Sequence, residues 1–181
     1  MLDVMVDLET LGVRPGSAIV SIGAVAFDPG AGQLAAASYY AVVNIASALS
    51  LGATIDPDTL AWWKRQKPDA REVVFDALAG GVSQADALRG FAAYLQTFGD
   101  RRAVRLWSNG SDFDNVLLTA AFRQAGLETA WSPFNHRCFR TLKSLFPGRE
   151  PPREGVHHNA LADAVHQARW ALAILSARRA L

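Results

Sequence analysis

Cysteine is almost absent from this sequence, because Cys138 is the only one among 181 residues. An intrachain disulfide is therefore impossible, and a structural zinc site built from several thiolates is excluded as well. The lack of disulfides favours a reducing compartment, so we expect a cytoplasmic protein.

Long hydrophobic runs and targeting signals are also missing. The N-terminus has no basic segment ahead of an apolar core, so no signal peptide is predicted. Residues 29–55 carry no charge, but Ser, Thr, Asn and Gly interrupt them. The stretch is therefore not the run of about 20 apolar residues that a membrane span requires. We interpret it as a buried strand followed by a loop, and expect no association with membranes.

Charge of one sign is scarce in each half of the chain. Residues 1–100 hold 6 basic and 11 acidic side chains, and residues 101–181 hold 12 basic and 6 acidic ones, giving net charges of −5 and +6. An acidic cluster can hold cations, and a basic surface can attract phosphates. Charge alone nevertheless favours the simpler interpretation of ordinary solvated surface.

The pattern of apolar residues predicts a single α/β domain over residues 1–181. Half of the residues are hydrophobic, which is enough for a full core. Strands are predicted at 3–7, 18–27, 35–43 and 103–108. Helices are predicted after Asp56, Pro68 and Ser83, over 113–125 and 136–146, and from Asn159 to about Ser176. This order indicates a mixed sheet with helices on its faces. There is no G-x-G-x-x-G or P-loop fingerprint.

Asp7 and Glu9 are the first candidates for chemistry. Side chains two apart on a strand point the same way, so both carboxylates lie on one face. A buried carboxylate without a partner is costly, and a bound cation would remove that cost. A D-x-E pair alone is better explained as two solvated acids at the end of a strand.

Two later segments add acids and histidines. Asp112 and Asp114 flank the start of a helix that follows a strand, and spacing alone does not choose between them. His157, His158 and Asp163 lie at the start of the last helix, where again neither histidine is preferred. Carboxylates near a histidine would form an oxygen-rich metal site with a proton acceptor, and such ligands suit Mg²⁺ or Mn²⁺ better than Zn²⁺.

The order of these segments resembles that of the DEDDh exonucleases, which belong to the ribonuclease-H-like superfamily. The resemblance rests on "VDLETLG" (6–12), "NGSDFDNVLL" (109–118) and "HNALAD" (158–163). The second motif places its acid after a phenylalanine and so selects Asp114. The third places histidine five positions before aspartate and so selects His158.

The resemblance covers roughly residues 3–172. Segments 7–28 and 60–71 are similar to a bacterial and phage subgroup described as exonuclease VIII-like, one branch of which acts on RNA. Proofreading relatives have a histidine at the start of the second motif, where this chain has Ser108 and Asn109. That departure points away from proofreading and leaves the choice of substrate open.

The resemblance implies a ribonuclease-H-like mixed sheet with helices on both faces, and a two-metal 3′–5′ exonuclease. Asp7, Glu9, Asp114 and Asp163 would hold two Mg²⁺ or Mn²⁺ ions, and His158 would act as general base. The substrate would be the 3′ end of single-stranded RNA or DNA, with RNA slightly favoured, and the products nucleoside 5′-monophosphates. Alternatives are an inactive nucleic-acid-binding module and a nuclease for very short oligonucleotides. Relatives are often dimers, so a homodimer is expected.

Five residues are expected to contact the substrate: Leu8, Thr10, Leu11, Trp63 and Asn109. Leu11 would wedge beside the terminal base. Trp62 and Trp63 point about 100° apart on a helix, so only one can face a groove. We expect Trp63 to stack on a base and Trp62 to lie in the core. Glu9 and the backbone near Thr10 are the groups expected to contact a 2′-hydroxyl.

Overall fold

A computed structural model describes residues 2–155 and 157–178 of the chain. Five strands form one sheet in the order β3-β2-β1-β4-β5. They span Leu2–Thr10 (β1), Ile19–Asp28 (β2), Gln33–Val42 (β3), Val104–Ser108 (β4) and His136–Cys138 (β5). β1 pairs antiparallel with β2 and parallel with β4, so the sheet is mixed, as predicted.

Seven α-helices occur in the described residues: Ile45–Ser50 (α1), Pro57–Lys64 (α2), Pro68–Ala79 (α3), Gln84–Gln96 (α4), Asp114–Gln124 (α5), Phe139–Leu145 (α6) and Ala160–Arg178 (α7). Two of the predicted helix starts are confirmed, because Asp56 and Ser83 each precede a helix and cap it. Asp56 accepts the Asp58 N–H at 2.9 Å, and Ser83 accepts the Asp86 N–H at 3.1 Å. Among the described residues, no helix is long and apolar enough to cross a membrane.

Two apolar clusters show that helices cover both faces of the sheet, which confirms the predicted fold class. Even-numbered residues of β1, such as Val4 and Val6, pack with Leu88 and Phe91 of α4 and with residues of α3 and α5. The odd-numbered Met5 packs instead with the alanines of α7 and with Phe139 of α6. β1 therefore lies at the centre of the core, and α6 and α7 share the face toward which its odd-numbered side chains point.

Gly23 allows α7 to approach the sheet closely. It pairs with Asp7 across β1 and β2. A Cβ at this position would lie 2.2 Å from the backbone of Ala160 and Leu161. Because glycine has no side chain, the first turn of α7 rests directly on the sheet beside Asp7.

Two sequence predictions about elements were wrong. Residues 136–146 were predicted as one helix, but His136–Cys138 pairs with β4 as an edge strand, and the helix begins at Phe139. A strand of three residues is too short to show a period. The uncharged segment after β3 was predicted as loop, but it contains α1, whose first turn is capped by the Asn44 side chain accepting the Ser47 N–H.

Candidate active site

β1 and β4 bring their carboxyl ends to the same edge of the sheet, because they run parallel. Glu9 lies near the end of β1, with Asp7 two residues before it on the same face. Asp114 begins α5, shortly after β4, and is buried, whereas Asp112 is exposed. The Asp114 carboxylate accepts the Leu8 N–H at 3.2 Å, which ties the second motif to the first.

The start of α7 delivers the remaining residues. Asn159 caps the helix by accepting the Ala162 N–H at 3.0 Å. His158 has the left-handed φ of 62°, unusual for a residue with a side chain, and its N–H donates to Asp163 at 3.0 Å. His157 is exposed, while His158 is half-buried. Ligand atoms of Glu9, His158 and Asp163 lie within 4.8 Å of one another and form a group that could hold a metal ion.

The five residues predicted to bind metal or act as base all line one cavity of about 390 Å³: Asp7, Glu9, Asp114, His158 and Asp163. The carboxylates strongly perturb one another. Burial raises the pKa of Asp7 well above its ordinary value, and the charges of Asp114 and Glu9 raise it further. Burial also raises the pKa of Glu9 to about 8 and that of Asp114 to about 7. Such clustered acids gain by binding a cation, so the residues fit a divalent metal.

Three cationic side chains, Arg140, Lys143 and Arg153, line the same cavity, but only one of them pairs with a carboxylate of the cluster in the described part of the chain. In residues 2–155 and 157–178, no ion pair forms with Asp7, Glu9 or Asp114. Asp163 is the exception, since Arg153 from the preceding loop forms an ion pair with it. A metal bound at Asp163 would therefore compete with this guanidinium.

Gln167 is a site residue that the motif analysis missed. Its Nε2 donates to Asp7 at 2.7 Å, and its Oε1 is buried without a hydrogen-bond partner among the described residues. Gln167 follows Asp163 by four residues on α7, so both side chains lie on one face of the helix. That spacing is the sequence signal by which it could have been found.

The burial of the two tryptophans is the reverse of that predicted. Trp63 is 3% exposed, and its indole N–H donates to the Thr10 carbonyl at 2.8 Å, so it belongs to the core. Trp62 is 36% exposed and packs edge-on against the His158 ring, with centroids 4.9 Å apart. The prediction was wrong because the sequence fixes the angle between neighbouring helix positions but not which of them faces the core.

The predicted role of Leu11 was also wrong, because its side chain is 1% exposed and lies in the core. Leu8 and Thr10 line a second cavity of about 570 Å³, beside the carboxylates. Asn109 lines the first cavity. Burial, followed by the charge of His157, lowers the pKa of His158, so its ring is a neutral proton acceptor over a wider pH range.

Comparison with known proteins identifies the family. The sequence model of the 3′-5′ exoribonuclease Rv2179c-like domain matches residues 2–175. The chain belongs to this family. Membership confirms the predicted enzyme class, a 3′–5′ exonuclease domain.

The exodeoxyribonuclease of Enterobacteria phage T4 is 26% identical to this Rv2179c-like domain over 137 residues, covering 68% of the chain and 56% of the phage protein. The chain thus spans little more than half the length of this curated relative.

Solved structures share the fold. The nuclease domain of 3′hExo, a DEDDh family member bound to rAMP, has a TM-score of 0.63 and 14% identity, covering 97% of this chain and 92% of that one. E. coli exonuclease I bound to a dT13 oligonucleotide has a TM-score of 0.62 and 18% identity, covering 98% and 41%. A zinc-bound form of its single-stranded DNA complex has a TM-score of 0.65 and 16% identity, covering 98% and 40%.

Proposed function

We propose that this domain removes nucleoside 5′-monophosphates from the 3′ end of single-stranded nucleic acid, using Mg²⁺ or Mn²⁺. The observation that carries the proposal is the cluster of Asp7, Glu9 and Asp114, whose pKa values are all raised and which form no ion pair within the described chain. Burying several carboxylates close together is unfavourable, and a bound cation would remove that cost.

Asp7, Glu9, Asp114 and Asp163 would hold the two ions. When bound, the metals would activate the attacking water and neutralise charge on the scissile phosphate. His158 accepts the proton of that water, and Trp62 limits the rotation of its ring by packing against it. Gln167 keeps the Asp7 carboxylate in one orientation through its N–H.

The terminal nucleoside would occupy the cavity of about 570 Å³, which Leu8, Thr10 and Trp62 line. The exposed face of Trp62 replaces Trp63 as the surface on which a base stacks, a contact worth about 1–3 kcal/mol. Asn109, on the other side of the carboxylates, would contact the strand.

RNA is the substrate we favour, because the family is described as exoribonuclease, although the phage relative is an exodeoxyribonuclease. A few polar groups near the terminal sugar are enough to select a 2′-hydroxyl. The Glu9 carboxylate lines the cavity assigned to the terminal nucleoside, so we assign this contact to Glu9, with the backbone near Thr10 as a second acceptor.

The test uses 5′-labelled single strands of one sequence, one ribose and one deoxyribose, at fixed salt with Mg²⁺, Mn²⁺ or EDTA. We expect metal-dependent ladders that shorten from the 3′ end, faster for RNA, and blocked by a 3′-phosphate but not by a 5′-phosphate. Rapid cleavage of circular single strands would contradict an exonuclease. Faster cleavage of DNA would contradict only the RNA preference.

Three further expectations stay predictions from the sequence: a single exonuclease domain over 1–181, a homodimer and a cytoplasmic location. Size-exclusion chromatography with light scattering would measure the oligomeric state.

A further inference from the structure

Cavities on the two sides of the carboxylates differ in charge. The cavity of about 570 Å³ proposed for the terminal nucleoside is called the nucleoside cavity here. It shares Leu8, Glu9 and Phe113 with the cavity that holds the carboxylates, so the two cavities meet at the active site. The nucleoside cavity adds the acids Asp56 and Asp58 and one cation, Arg65, so its acids outnumber its cations. On the opposite side, a third cavity of about 520 Å³ continues from the first, and both contain Arg140, Lys143, Glu150 and Trp170. We call this continuation, lined by those four residues, the basic groove.

The second-motif turn fixes Arg140 in the basic groove. Its Nη2 donates to the Asn109 carbonyl at 2.9 Å. Gly110, the next residue, has a φ of 144°, and a Cβ there would lie 2.9 Å from the same Nη2. The turn thus needs glycine both for its backbone conformation and to leave room for the guanidinium. Arg140 remains exposed, with donors free to face a ligand.

Lys143 lies one turn after Arg140 on α6, so both side chains project from one face of the helix. Its Nζ is 5.4 Å from the ring centroids of both Phe139 and Trp170, and these rings hold the ammonium by cation–π contacts. In the part of the chain that the structure describes, neither Arg140 nor Lys143 forms an ion pair.

Glu150 is the one acid among the four residues of the groove. Its Oε1 lies 3.3 Å from Nε2 of His166, which holds the carboxylate toward α7 and away from an ion pair with Arg140 or Lys143. Burial raises the pKa of Asp114, and the charge of Arg140 lowers it in part, which places this cation beside the carboxylates. The groove therefore offers two positioned cations that form no ion pair within the described chain.

We infer that the basic groove binds the backbone phosphates on the 5′ side of the scissile bond, while the acidic nucleoside cavity accepts only the terminal residue. The inference rests on the proposed exonuclease function. Every upstream nucleotide brings a phosphate, whereas a 3′-terminal nucleoside carries a hydroxyl and no further phosphate. The difference in charge between the two sides thus sets the direction in which the strand enters.

The test compares a dinucleotide with a decanucleotide of the same 3′ sequence. A dinucleotide has only the scissile phosphate and does not extend into the groove. In the double variant Arg140→Gln/Lys143→Gln, we expect the decanucleotide KM to rise roughly tenfold more than the dinucleotide KM. The slope of log affinity for the decanucleotide against log salt should fall by about 1.4, or about 0.7 for each lost contact with a single strand.

The matched control is Arg102→Gln/Arg123→Gln, which removes two exposed cations that line none of the three cavities. We expect it to behave like wild type with both oligonucleotides. Equal loss for both lengths in the groove variant, or the same length-dependent loss in the control, would overturn the inference. Wild-type protein that binds the decanucleotide by fluorescence anisotropy but cleaves neither length would overturn the proposed function instead.

Discussion

At its two ends, β1 turns acidic side chains toward the same face of the sheet, but with different partners. Asp3, at the start, is 1% exposed and fully partnered: Arg105 donates through Nε at 2.6 Å, and the Trp107 indole N–H donates at 2.6 Å. Asp7 and Glu9, at the other end, have no ion-pair partner in the described chain. Both ends obey the same alternation of side chains, so position on the strand does not separate a structural acid from a functional one.

The comparison teaches that partners, rather than burial, identify the site. A buried carboxylate with its own guanidinium stabilises the fold and needs nothing more. A group of carboxylates whose pKa values rise because they are buried together is stable only with protons or a cation. Each prediction below tests this difference.

The largest effect is expected from Asp7→Ala. Because Asp7 lies among the other carboxylates, we expect this change to abolish turnover and to remove most of the rise in Tm caused by Mg²⁺ or Mn²⁺. Differential scanning fluorimetry with and without metal measures the shift. A variant with wild-type turnover would show that the site is assigned wrongly.

A smaller loss is expected from His158→Ala, roughly 10²–10⁴-fold in kcat, the usual contribution of a positioned proton acceptor. His157→Ala is the control and should cost far less, because His157 is exposed and the group that could hold a metal consists of Glu9, His158 and Asp163. Single-turnover kinetics on a labelled oligonucleotide separates this step from product release. The reverse order of effects would mean that the third motif is read in the wrong register.

Asp3→Asn should affect stability instead of chemistry. It leaves Arg105 without its carboxylate, and we expect a loss of about 3 kcal/mol in the free energy of unfolding. The rise in Tm on adding metal should stay as large as in wild type. Urea denaturation with and without Mg²⁺ measures both quantities, and a lost metal response would remove the distinction between the two ends of β1.

The smallest effect concerns pH in the absence of metal. Folding raises the pKa of Glu9 from 4.5 to about 8, so the folded protein holds a proton that the unfolded chain releases. This contribution to stability is present at low pH and is lost as pH rises from about 5 to about 8. In EDTA, the Tm of wild type relative to Glu9→Gln should therefore fall across this interval. A relative Tm that rises instead would contradict the raised pKa.

Metal binding should show the opposite trend. The ligands must lose their protons to bind a cation, so affinity for Mg²⁺ or Mn²⁺ should increase over the same interval. Isothermal titration calorimetry in buffers of different ionisation enthalpy counts the protons released.

Much of this site could be predicted from the sequence, because motif order and strand alternation identify Asp7, Glu9, Asp114, His158 and Asp163. What the sequence could not provide was orientation about an axis. Trp63 is buried and Trp62 exposed, the reverse of the prediction, because the orientation of α2 about its axis depends on what it packs against. Leu11 turns inward after a register shift between Glu9 and Thr10, which no local pattern announces.

Partners supplied by other segments were likewise missed. Arg153 reaches Asp163 from a loop rich in proline and glycine, where propensity predicts only the absence of helix. β5 forms because its backbone pairs with the free edge of β4. The sequence of its three residues does not indicate this pairing.

Gly23 links these observations in a way that matters for reading mutational data. Any side chain at this position would collide with the backbone at the start of α7 and push the helix outward. Asp163 and His158 would then move away from Asp7 together, as one rigid unit. A saturation screen for activity would accordingly find Gly23 as intolerant of substitution as a catalytic position, although it has no side chain, binds no ion and lies on the strand next to Asp7. Intolerance at Gly23 would reflect the need to keep His158 and Asp163 close to Asp7. Only a structure distinguishes this spacing role from a chemical one.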